Sequence, residues 1–342
     1  MANAISTSLS GFVQEDVEKY FLSPLFLGEE YLNNFDLLSN VKGSIALDHF
    51  ASAEKITVAH SGAAFAGTAG AAYTQVSLVT GQVEAEFEQR FNTFEGTVKS
   101  KALKMGTAKD DIDGTVLKTI ISEMMLQGVK RDFNRQIWFG DTGMTGTGAA
   151  NYTPYNGIFV ALQGLDAAQE LVIGITADTP STGCTLAATG VYTGAELISI
   201  FEAVYDAAPA ELKELPKVMF ISGVIADAYM KYLRSQGVSE SFVILQDGTP
   251  KLTWNGIELV VRRDWDSIIG SDYALIDDAS AADSIGRVVM VAKQAIAVGT
   301  DFDSATFDTW FSQDNKAYRF RLGYLAGAAL KDKKLAVVAY HK

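Results

Sequence analysis

The feature that most constrains this chain is an apolar pattern of helical period that runs from Ile112 to Phe139. Apolar residues recur every four positions in two neighbouring series, which together form one broad stripe on a helix. The series are Ile112, Val116, Ile120 and Met124, and Leu117, Ile121, Met125, Val129, Phe133 and Ile137. Such a helix would be about 42 Å long, which exceeds an ordinary globular helix and indicates a structural spine.

Both ends of this predicted helix carry matching end signals. Asp110, Asp111 and Asp113 crowd its start, where helix N-termini favour capping side chains and negative charge. A glycine-rich stretch from Gly140 to Gly148 follows its last apolar residue and predicts its end. We read these aspartates as capping residues, because the position of a calcium loop that requires a carboxylate would hold Ile120.

The segment before this helix alternates with period two, which predicts a strand with one wet face. Val83, Ala85 and Phe87 lie on one side, and Glu84, Glu86 and Glu88 lie on the other. Residues 98–102 continue as a candidate partner strand. Acid–base chemistry needs desolvated or opposed carboxylates, so we expect a solvated face or salt bridges to a neighbouring subunit's Lys99, Lys101 or Lys104.

The second half mixes helices with strands. Thr193–Glu196 is a capping box that opens a helix, and Ser222 is expected to cap another that ends at Gly237. Asp247-Gly248 and Asn255-Gly256 predict hairpin turns. We predict strands over 218–221, 252–254, 257–261, 287–298, 318–322 and 335–340. The mixture, with mostly antiparallel strands, predicts an α+β fold.

The N-terminal region differs from a compact domain. Short aromatic clusters alternate with polar residues over the first 45 positions, and Pro24 and Gly28 interrupt any long helix. We interpret this region as an arm that packs on a neighbouring subunit; a strand on its own domain is the alternative. The small-residue stretch from Ser61 to Ala72 lies between strand-like pieces and predicts a long hairpin; a surface loop without a role remains open.

Composition excludes several classes of protein. The 342-residue chain carries a net charge of −13 and one cysteine, Cys184. The acidic balance argues against a dedicated nucleic-acid binder, because phosphate binding needs Lys and Arg, but it does not exclude a container whose wall repels DNA. An intrachain disulfide is impossible. We expect no secretory signal and no membrane helix, and therefore a protein kept in a cytoplasm.

The sequence offers little chemistry for catalysis, so we expect no enzymatic activity, no cofactor and no metal. His49, His60 and His341 are too scattered for a metal cluster or a nucleophile–base pair. The glycine-rich stretches lack the Lys-Ser/Thr of a phosphate-binding loop. Solvated turn residues explain Asp301, Asp303 and Asp308 better than a cation site does.

Four short motifs, taken in order, point to one family. Trp138-Phe139-Gly140-Asp141 is followed by Asn156-Gly157-Ile158, then by Trp254-Asn255-Gly256-Ile257-Glu258-Leu259. A basic strand, Tyr318-Arg319-Phe320-Arg321, leads into Ala326-Gly327-Ala328-Ala329. In order and spacing, across nearly the whole chain, these features resemble the major capsid proteins of tailed bacteriophages, whose fold is shared with encapsulin shells.

The resemblance implies a capsid fold and a division of the chain. The implied segments are an N-terminal arm (1–50), an extended hairpin loop (51–82), a peripheral domain with spine helix 112–139 (83–214), an axial domain (215–310) and strands that return to the peripheral domain (311–342). It implies an icosahedral or prolate shell that encloses double-stranded phage DNA without sequence-specific binding. Implied partners are copies of the chain in pentamers and hexamers, a separate scaffold protein, portal and decoration proteins, and no membrane.

We expect contacts between subunits at a set of residues on the arm, the loop and the charged strands. They are Phe12, Tyr20, Phe21, Phe26, Ala63, Phe65, Tyr73, Glu84, Glu86, Lys99 and Lys101. We expect no large N-terminal propeptide and no isopeptide crosslink between Lys55 and Asn315. An encapsulin-like compartment, another virion protein such as a tail or decoration subunit, and an enzyme with a convergent polar site remain alternatives.

Overall fold

The computed structural model describes residues 33–50, 73–90, 116–146, 148–163, 165, 169–172, 194–236, 242–244, 250–273, 286–315 and 317–340. The strands are β1 (Asp36–Ser39), β2 (Ser44–Phe50), β3 (Tyr73–Val79), β4 (Gly81–Arg90), β5 (Glu170–Val172), β6 (Lys217–Ser222), β7 (Phe242–Ile244), β8 (Pro250–Trp254), β9 (Ile257–Arg262), β10 (Arg287–Ala292), β11 (Ile296–Ser312), β12 (Ala317–Leu330) and β13 (Ala336–Tyr340). The α-helices are α1 (Val116–Phe139), α2 (Ile158–Leu162), α3 (Gly194–Ala207), α4 (Ala210–Glu214), α5 (Gly223–Ser235) and α6 (Arg263–Ile268).

Three sheets organise these strands, and the α+β prediction is confirmed. A four-stranded sheet has the order β1-β11-β12-β4, and a seven-stranded sheet has the order β5-β13-β10-β6-β9-β8-β7. Strands β2 and β3 form a separate antiparallel pair in which Ser44 lies opposite Val79 and Phe50 lies opposite Tyr73. These two strands flank residues 51–72, so most of the predicted extended loop lies outside the described residues.

Helix α1 confirms the predicted spine over Val116–Phe139; residues 112–115 and the capping aspartates lie outside the described residues. The series Met125, Val129, Phe133 and Ile137 is buried, as the pattern predicts. In the other series, the prediction of a buried side chain is wrong at Met124, which is 51% exposed. One residue turns a helix by about 100°, and the buried series faces β12, where the Phe133 and Tyr324 rings lie 6.2 Å apart.

Strand β4 confirms the period-two pattern, because Val83 is buried and the three glutamates are exposed. Its partner in the sheet is β12, with Glu86 opposite Arg321 and Glu88 opposite Arg319. The candidate partner strand at 98–102 lies outside the described residues. The pairing that forms joins segments more than 200 residues apart, as the 231-residue separation of Glu88 and Arg319 shows.

Residues 287–298 form two strands rather than the single one predicted. The turn at Lys293–Ala295 separates β10 in the seven-stranded sheet from β11 in the four-stranded sheet. Gln294 adopts a left-handed φ of 63°, which reverses the chain direction within a few residues. The Lys293 and Gln294 amides donate to the carbonyls of Pro216 and Asn34 at 2.8 and 2.7 Å, and these bonds fix the crossing point.

The last strand of the chain lies in a different sheet from β12. Residues 311–342 were expected to return to the peripheral domain, and β12 does lie in the four-stranded sheet beside β4. Strand β13, however, pairs with β10 and β5 in the seven-stranded sheet. Asp332, whose side chain accepts the Lys334 amide at 2.9 Å, opens the short 3-10 turn Lys333–Leu335 that redirects the chain. The domain boundaries themselves stay predictions.

Strands β6, β10 and β13 of the seven-stranded sheet are almost completely buried, and the predicted strand 218–221 lies at the centre of this sheet. Helix α3 confirms the predicted helix after the capping box, although Thr193 lies outside the described residues. Its apolar face, Leu197, Ile200, Phe201 and Val204, is buried. Helix α4, between Pro209 and Pro216, was not predicted.

The start of helix α5 corrects a predicted cap. Ser222 holds the N-cap position, but its side chain makes no capping bond; its hydroxyl accepts the Arg287 amide at 3.3 Å instead. A carboxylate oxygen of Asp266, 42 residues away in sequence, accepts the Val224 amide at 2.9 Å. The helix is therefore capped by a tertiary contact. It ends at Ser235, and Gly237 lies outside the described residues.

Candidate inter-subunit surface

The outer side of the four-stranded sheet carries charged residues in register across three strands. Arg321 of β12 lies between Glu86 of β4 and Asp308 of β11, and Arg319 lies between Glu88 and Trp310. Because side chains alternate along a strand, these residues share one face. We call the set Glu84, Glu86, Glu88, Asp308, Trp310, Arg319 and Arg321 the charged strand face.

Ion pairs connect β4 to β12 on this face. The Arg319 Nε donates to Glu88 Oε2 at 2.8 Å, and the Asn315 side-chain amide donates to the same oxygen at 3.3 Å. The Arg321 Nε donates to Glu84 and lies 3.6 Å from Glu86 Oε1. The partners that the structure shows are arginines of the same chain, while Lys99, Lys101 and Lys104 lie outside the described residues.

Hydrogen bonds lower the pKa of two glutamates on this face. The bond from Arg321 lowers the pKa of Glu84, and the bonds from Arg319 and then Asn315 lower the pKa of Glu88. The hydrogen bond to Glu84 in turn raises the pKa of Arg321. Exposed pairs of this kind add little to the stability of a subunit. Their main effect is to favour the ionised form of Glu84 and Glu88 and to hold Arg319 and Arg321 in one orientation.

Trp310 gives the charged strand face an apolar centre that solvent reaches. Its side chain is 42% exposed, although tryptophan is the largest apolar residue. Tryptophan and arginine are enriched among the residues that dominate protein interfaces, where surrounding polar contacts exclude water. The chemistry of this face therefore suits binding of another protein surface and includes no nucleophile–base pair.

The opposite side of the same sheet packs on helix α1 and makes the surface rigid. Phe87 and Phe320 pair across β4 and β12 with ring centroids 6.4 Å apart. Tyr324 is buried beside Phe133, and burial raises the pKa of its phenol. Burial also raises the pKa of Tyr155, which lies close enough to interact electrostatically with Tyr324. Both phenols stay protonated under ordinary conditions and serve the core.

The end of helix α1 joins the sheets through an aromatic cluster. The Trp138 ring lies 4.7 Å from Trp265 and 5.1 Å from Phe220 of β6, both edge-on. Phe159 of α2 packs on the same tryptophans at 5.6 and 5.2 Å. The Thr142 amide and hydroxyl both donate to Asn156 Oδ1 at 2.9 Å and fix the loop that links the two helices. This is where the motifs at 138–141 and 156–158 meet.

A groove of about 450 Å³ runs between β4, helix α1 and residues 150–154. Glu84, Glu86 and Asp132 line it, but the first two contact Arg321 and Asp132 contacts Arg135. Within the described ranges, no group of three His, Cys, Asp or Glu side chains could hold a metal ion. In the same ranges, no helix is long and apolar enough to cross a membrane.

Most of the predicted contact residues lie outside the described part of the chain. They are Phe12, Tyr20, Phe21, Phe26, Ala63, Phe65, Lys99 and Lys101. Lys55, which was considered for a crosslink, also lies outside the described residues. Tyr73 opens β3, and its backbone pairs with Phe50. Glu84 and Glu86 lie on the charged strand face, as their alternation predicted. Contact of these residues with another subunit stays a prediction.

Sequence reasoning missed Trp310, Arg319 and Arg321 as one surface with the glutamates. A signal was present, because Tyr318, Phe320 and Leu322 alternate with Arg319 and Arg321, as in a strand with one wet face. The pairing of β12 with β4 could not be found in the same way, since nothing local specifies which distant strand is the neighbour. The four tryptophans also differ: Trp138 and Trp265 are buried, Trp254 is half-buried and Trp310 is exposed.

Comparison with known proteins gives a match in structure alone. No family model matches the sequence, and no curated protein matches it significantly. A solved structure of the satellite phage P4 procapsid including size determination (Sid) protein matches with a TM-score of 0.56 and 10% identity, over 99% of this chain and 91% of that chain.

Two further solved structures have TM-scores above 0.5. A chain of Gordonia phage Cozz matches with a TM-score of 0.53 and 11% identity, over 90% of this chain and 84% of that chain. A structure of the capsid of a native GTA particle matches with 0.51 and 9% identity, over 90% and 88%. Together with the sheets and the spine helix, these matches establish that the chain has the HK97-type capsid fold, which tailed-phage major capsid proteins share with encapsulins.

Proposed function

We propose that this chain is a shell subunit, the major capsid protein of an icosahedral or prolate particle that encloses double-stranded phage DNA. The observation that carries the proposal is the capsid fold over almost the whole chain, matched at 99% coverage by a procapsid structure. A shell subunit works by geometry, because one fold must meet its copies around five-fold and six-fold positions through similar but unequal contacts.

The charged strand face supports this role. It combines an exposed tryptophan, two oriented arginines and ionised glutamates on a sheet that helix α1 holds rigid. Rigid scaffolds with exposed aromatic and arginine side chains suit specific protein contacts. The net charge of −13 also suits a wall that encloses DNA without holding it.

The partners follow from the same proposal. Copies of the chain form the pentamers and hexamers, and a separate scaffold protein directs their assembly. Portal and decoration proteins complete the particle, which is a virion assembled in the host cytoplasm. The subunit needs no cofactor and performs no catalysis in this role.

Expression of the chain alone, and together with a candidate scaffold protein, tests the proposal. Light scattering and negative-stain electron microscopy of the soluble fraction should show closed particles of megadalton mass. Particles that package DNA in the presence of their packaging proteins support the phage capsid. Particles that retain an enzyme instead would replace it with an encapsulin-like compartment, and a compact monomer under both conditions would refute a shell.

A further inference from the structure

Two glycines lie directly opposite each other in the four-stranded sheet. Gly299 of β11 pairs with Gly327 of β12, and small residues surround the pair: Ala297 lies opposite Ala329, and Val298 lies opposite Ala328. A sheet position without a side chain allows another backbone to approach closely. We call Gly299 and Gly327 the hairpin seat, because the base of the β2–β3 hairpin rests on them.

The hairpin fills the space that the missing side chains leave. A Cβ at position 299 would lie 2.6 Å from Leu78 Cδ2 and 3.3 Å from Val41 Cγ2. A Cβ at position 327 would overlap the Val79 carbonyl oxygen and lie 3.1 Å from Thr80 Cα. Leu78 is fully buried there, in a small cluster with Val41, Leu47, Ala297 and Ala329 that is separate from the main core.

A few hydrogen bonds complete the attachment of the hairpin base. The Thr80 amide donates to the Gly43 carbonyl at 2.7 Å, and the Thr80 hydroxyl donates to the same oxygen at 2.9 Å. The Val41 amide donates to Thr300 of β11 at 3.2 Å. The opposite side of the hairpin base is exposed, with Val79 at 61%. The base is therefore fixed from one side, by the hairpin seat and its immediate neighbours.

We propose that Gly299 and Gly327 are positioning residues that set the direction in which the β2–β3 hairpin leaves the sheet, and so the geometry of contact between copies of the chain. The second part rests on the proposed shell function. The two positions act differently. A methyl group at 299 meets the end of a side chain, whereas a methyl group at 327 meets the hairpin backbone, which must withdraw by about 1 Å to reach the ordinary contact distance of 3.4 Å.

The direction of the hairpin is measurable in the soluble subunit. Spin labels at Gln75→Cys on β3 and Glu202→Cys on α3, in a Cys184→Ser background, report one distance by pulsed electron spin resonance. Gln75 lies four residues from Val79, about 13 Å along the strand, so a tilt at the seat is amplified at the label. Gly327→Ala should shift the mean distance by a few ångström.

The remaining variants separate positioning from general damage. Gly299→Ala should also shift the distance, and adding Leu78→Ala should restore it, because the shortened side chain makes room for the methyl group. The same addition should not restore Gly327→Ala. Gly128→Ala is the matched control and should leave the distance unchanged, since a Cβ there meets nothing within 4 Å. An unchanged distance in both folded seat variants would overturn the proposal.

A variant that fails to fold does not remove the test. Leu78→Ala alone adds no atoms to the hairpin seat but removes the side chain that fills it. This variant should broaden the distribution of distances between the two spin labels. An unchanged distribution would contradict a positioning role for the hairpin seat. Gly327→Ala should also lower the yield of closed shells severalfold or change their diameter. Normal shells from a subunit with a shifted hairpin would refute the link to assembly. If the unaltered chain builds no shells, the proposed function fails, while the distances still decide the role of the seat.

Discussion

Gly140 and Gly157 meet backbone to backbone where the spine helix ends. The Gly157 amide donates to the Gly140 carbonyl at 2.7 Å. A Cβ at position 157 would lie 2.7 Å from both the Gly140 nitrogen and the Gln136 carbonyl oxygen, and 2.8 Å from the Ile137 carbonyl oxygen. All three contacted atoms belong to the backbone rather than to a flexible side chain, so the two glycines allow α2 to pack across the last turn of α1.

Gly157→Ala is therefore expected to lower the free energy of unfolding by about 1–3 kcal/mol, because overpacking against backbone cannot be relieved by a rotamer change. Gly128→Ala, in open space on helix α1, should raise the free energy of unfolding by about 0.5–1 kcal/mol through better helix propensity. Urea denaturation followed by circular dichroism measures both. Equal effects of the two variants would contradict the close contact.

The two arginines of the charged strand face should act on different glutamates. The folded pKa of Glu84 lies below the ordinary value of 4.5 because Arg321 donates to it. Its contribution to stability is present above pH 4.5 and is lost as the pH falls through the lowered pKa. Arg321→Gln should raise the pKa of Glu84 toward its ordinary value.

Titration of side-chain carboxyl signals by nuclear magnetic resonance, with glutamate labelled with carbon-13, measures this shift. Arg319→Gln is the matched control: it should raise the pKa of Glu88, which depends on Arg319 first and on Asn315 second, and leave Glu84 unchanged. A shift of both glutamates in either variant would mean that general field effects, rather than the specific hydrogen bonds, lower the pKa values.

Asp266 caps helix α5, but burial of its ionised carboxylate lowers the stability of the fold by an amount that depends on pH. Burial raises the pKa of its carboxyl, and the bonds from Val224 and Gly223 offset this only in part. A carboxyl whose pKa is raised in the folded state contributes stability that is fully present below its ordinary pKa of 3.8. That stability is lost as the pH rises through the folded pKa. Asp266→Asn keeps an acceptor oxygen without a charge. The free energy of unfolding of this variant should therefore increase, relative to that of the unaltered protein, as the pH rises from 4 to 7.

Asp266→Ala is the comparison that isolates the cap. It removes the acceptor for the Val224 amide and should lower the free energy of unfolding by about 1 kcal/mol at pH 7. Chemical denaturation at pH 4 and pH 7 gives both quantities. If the asparagine variant is as unstable as the alanine variant at pH 7, the carboxylate charge itself is what stabilises the helix.

Substitution of an exposed and of a buried tryptophan should distinguish effects on shell assembly from effects on folding. Trp310→Ala is expected to change the free energy of unfolding by no more than about 0.5 kcal/mol, as for an exposed side chain, but to reduce shell assembly severalfold. Trp265→Ala should lower the free energy of unfolding by about 3–5 kcal/mol, because its ring is fully buried against Trp138. Thermal unfolding of the subunit and light scattering of particles measure the two effects. Full assembly of Trp310→Ala would exclude this residue as a contact.

Local pattern was enough to predict the spine helix, the alternation of β4, the buried strand β6 and the turn at Asn255-Gly256, where φ is 47° and 76°. These features follow from periodicity and turn chemistry, which act between residues a few positions apart. The order of the motifs was also enough to identify the capsid fold, which the structural matches bear out at about 10% identity.

Only the tertiary structure decided which of Met124 and Met125 is buried, because both belong to the same apolar stripe and β12 covers one side of it. It also decided that β12, rather than a nearby segment, pairs with β4, that Asp266 caps helix α5, and that β10 and β13 share a sheet with β6. The hairpin seat depends on Gly299 and Gly327 being in register. Pairing between distant strands is set by the packing of whole faces, and no local window of the sequence contains both partners.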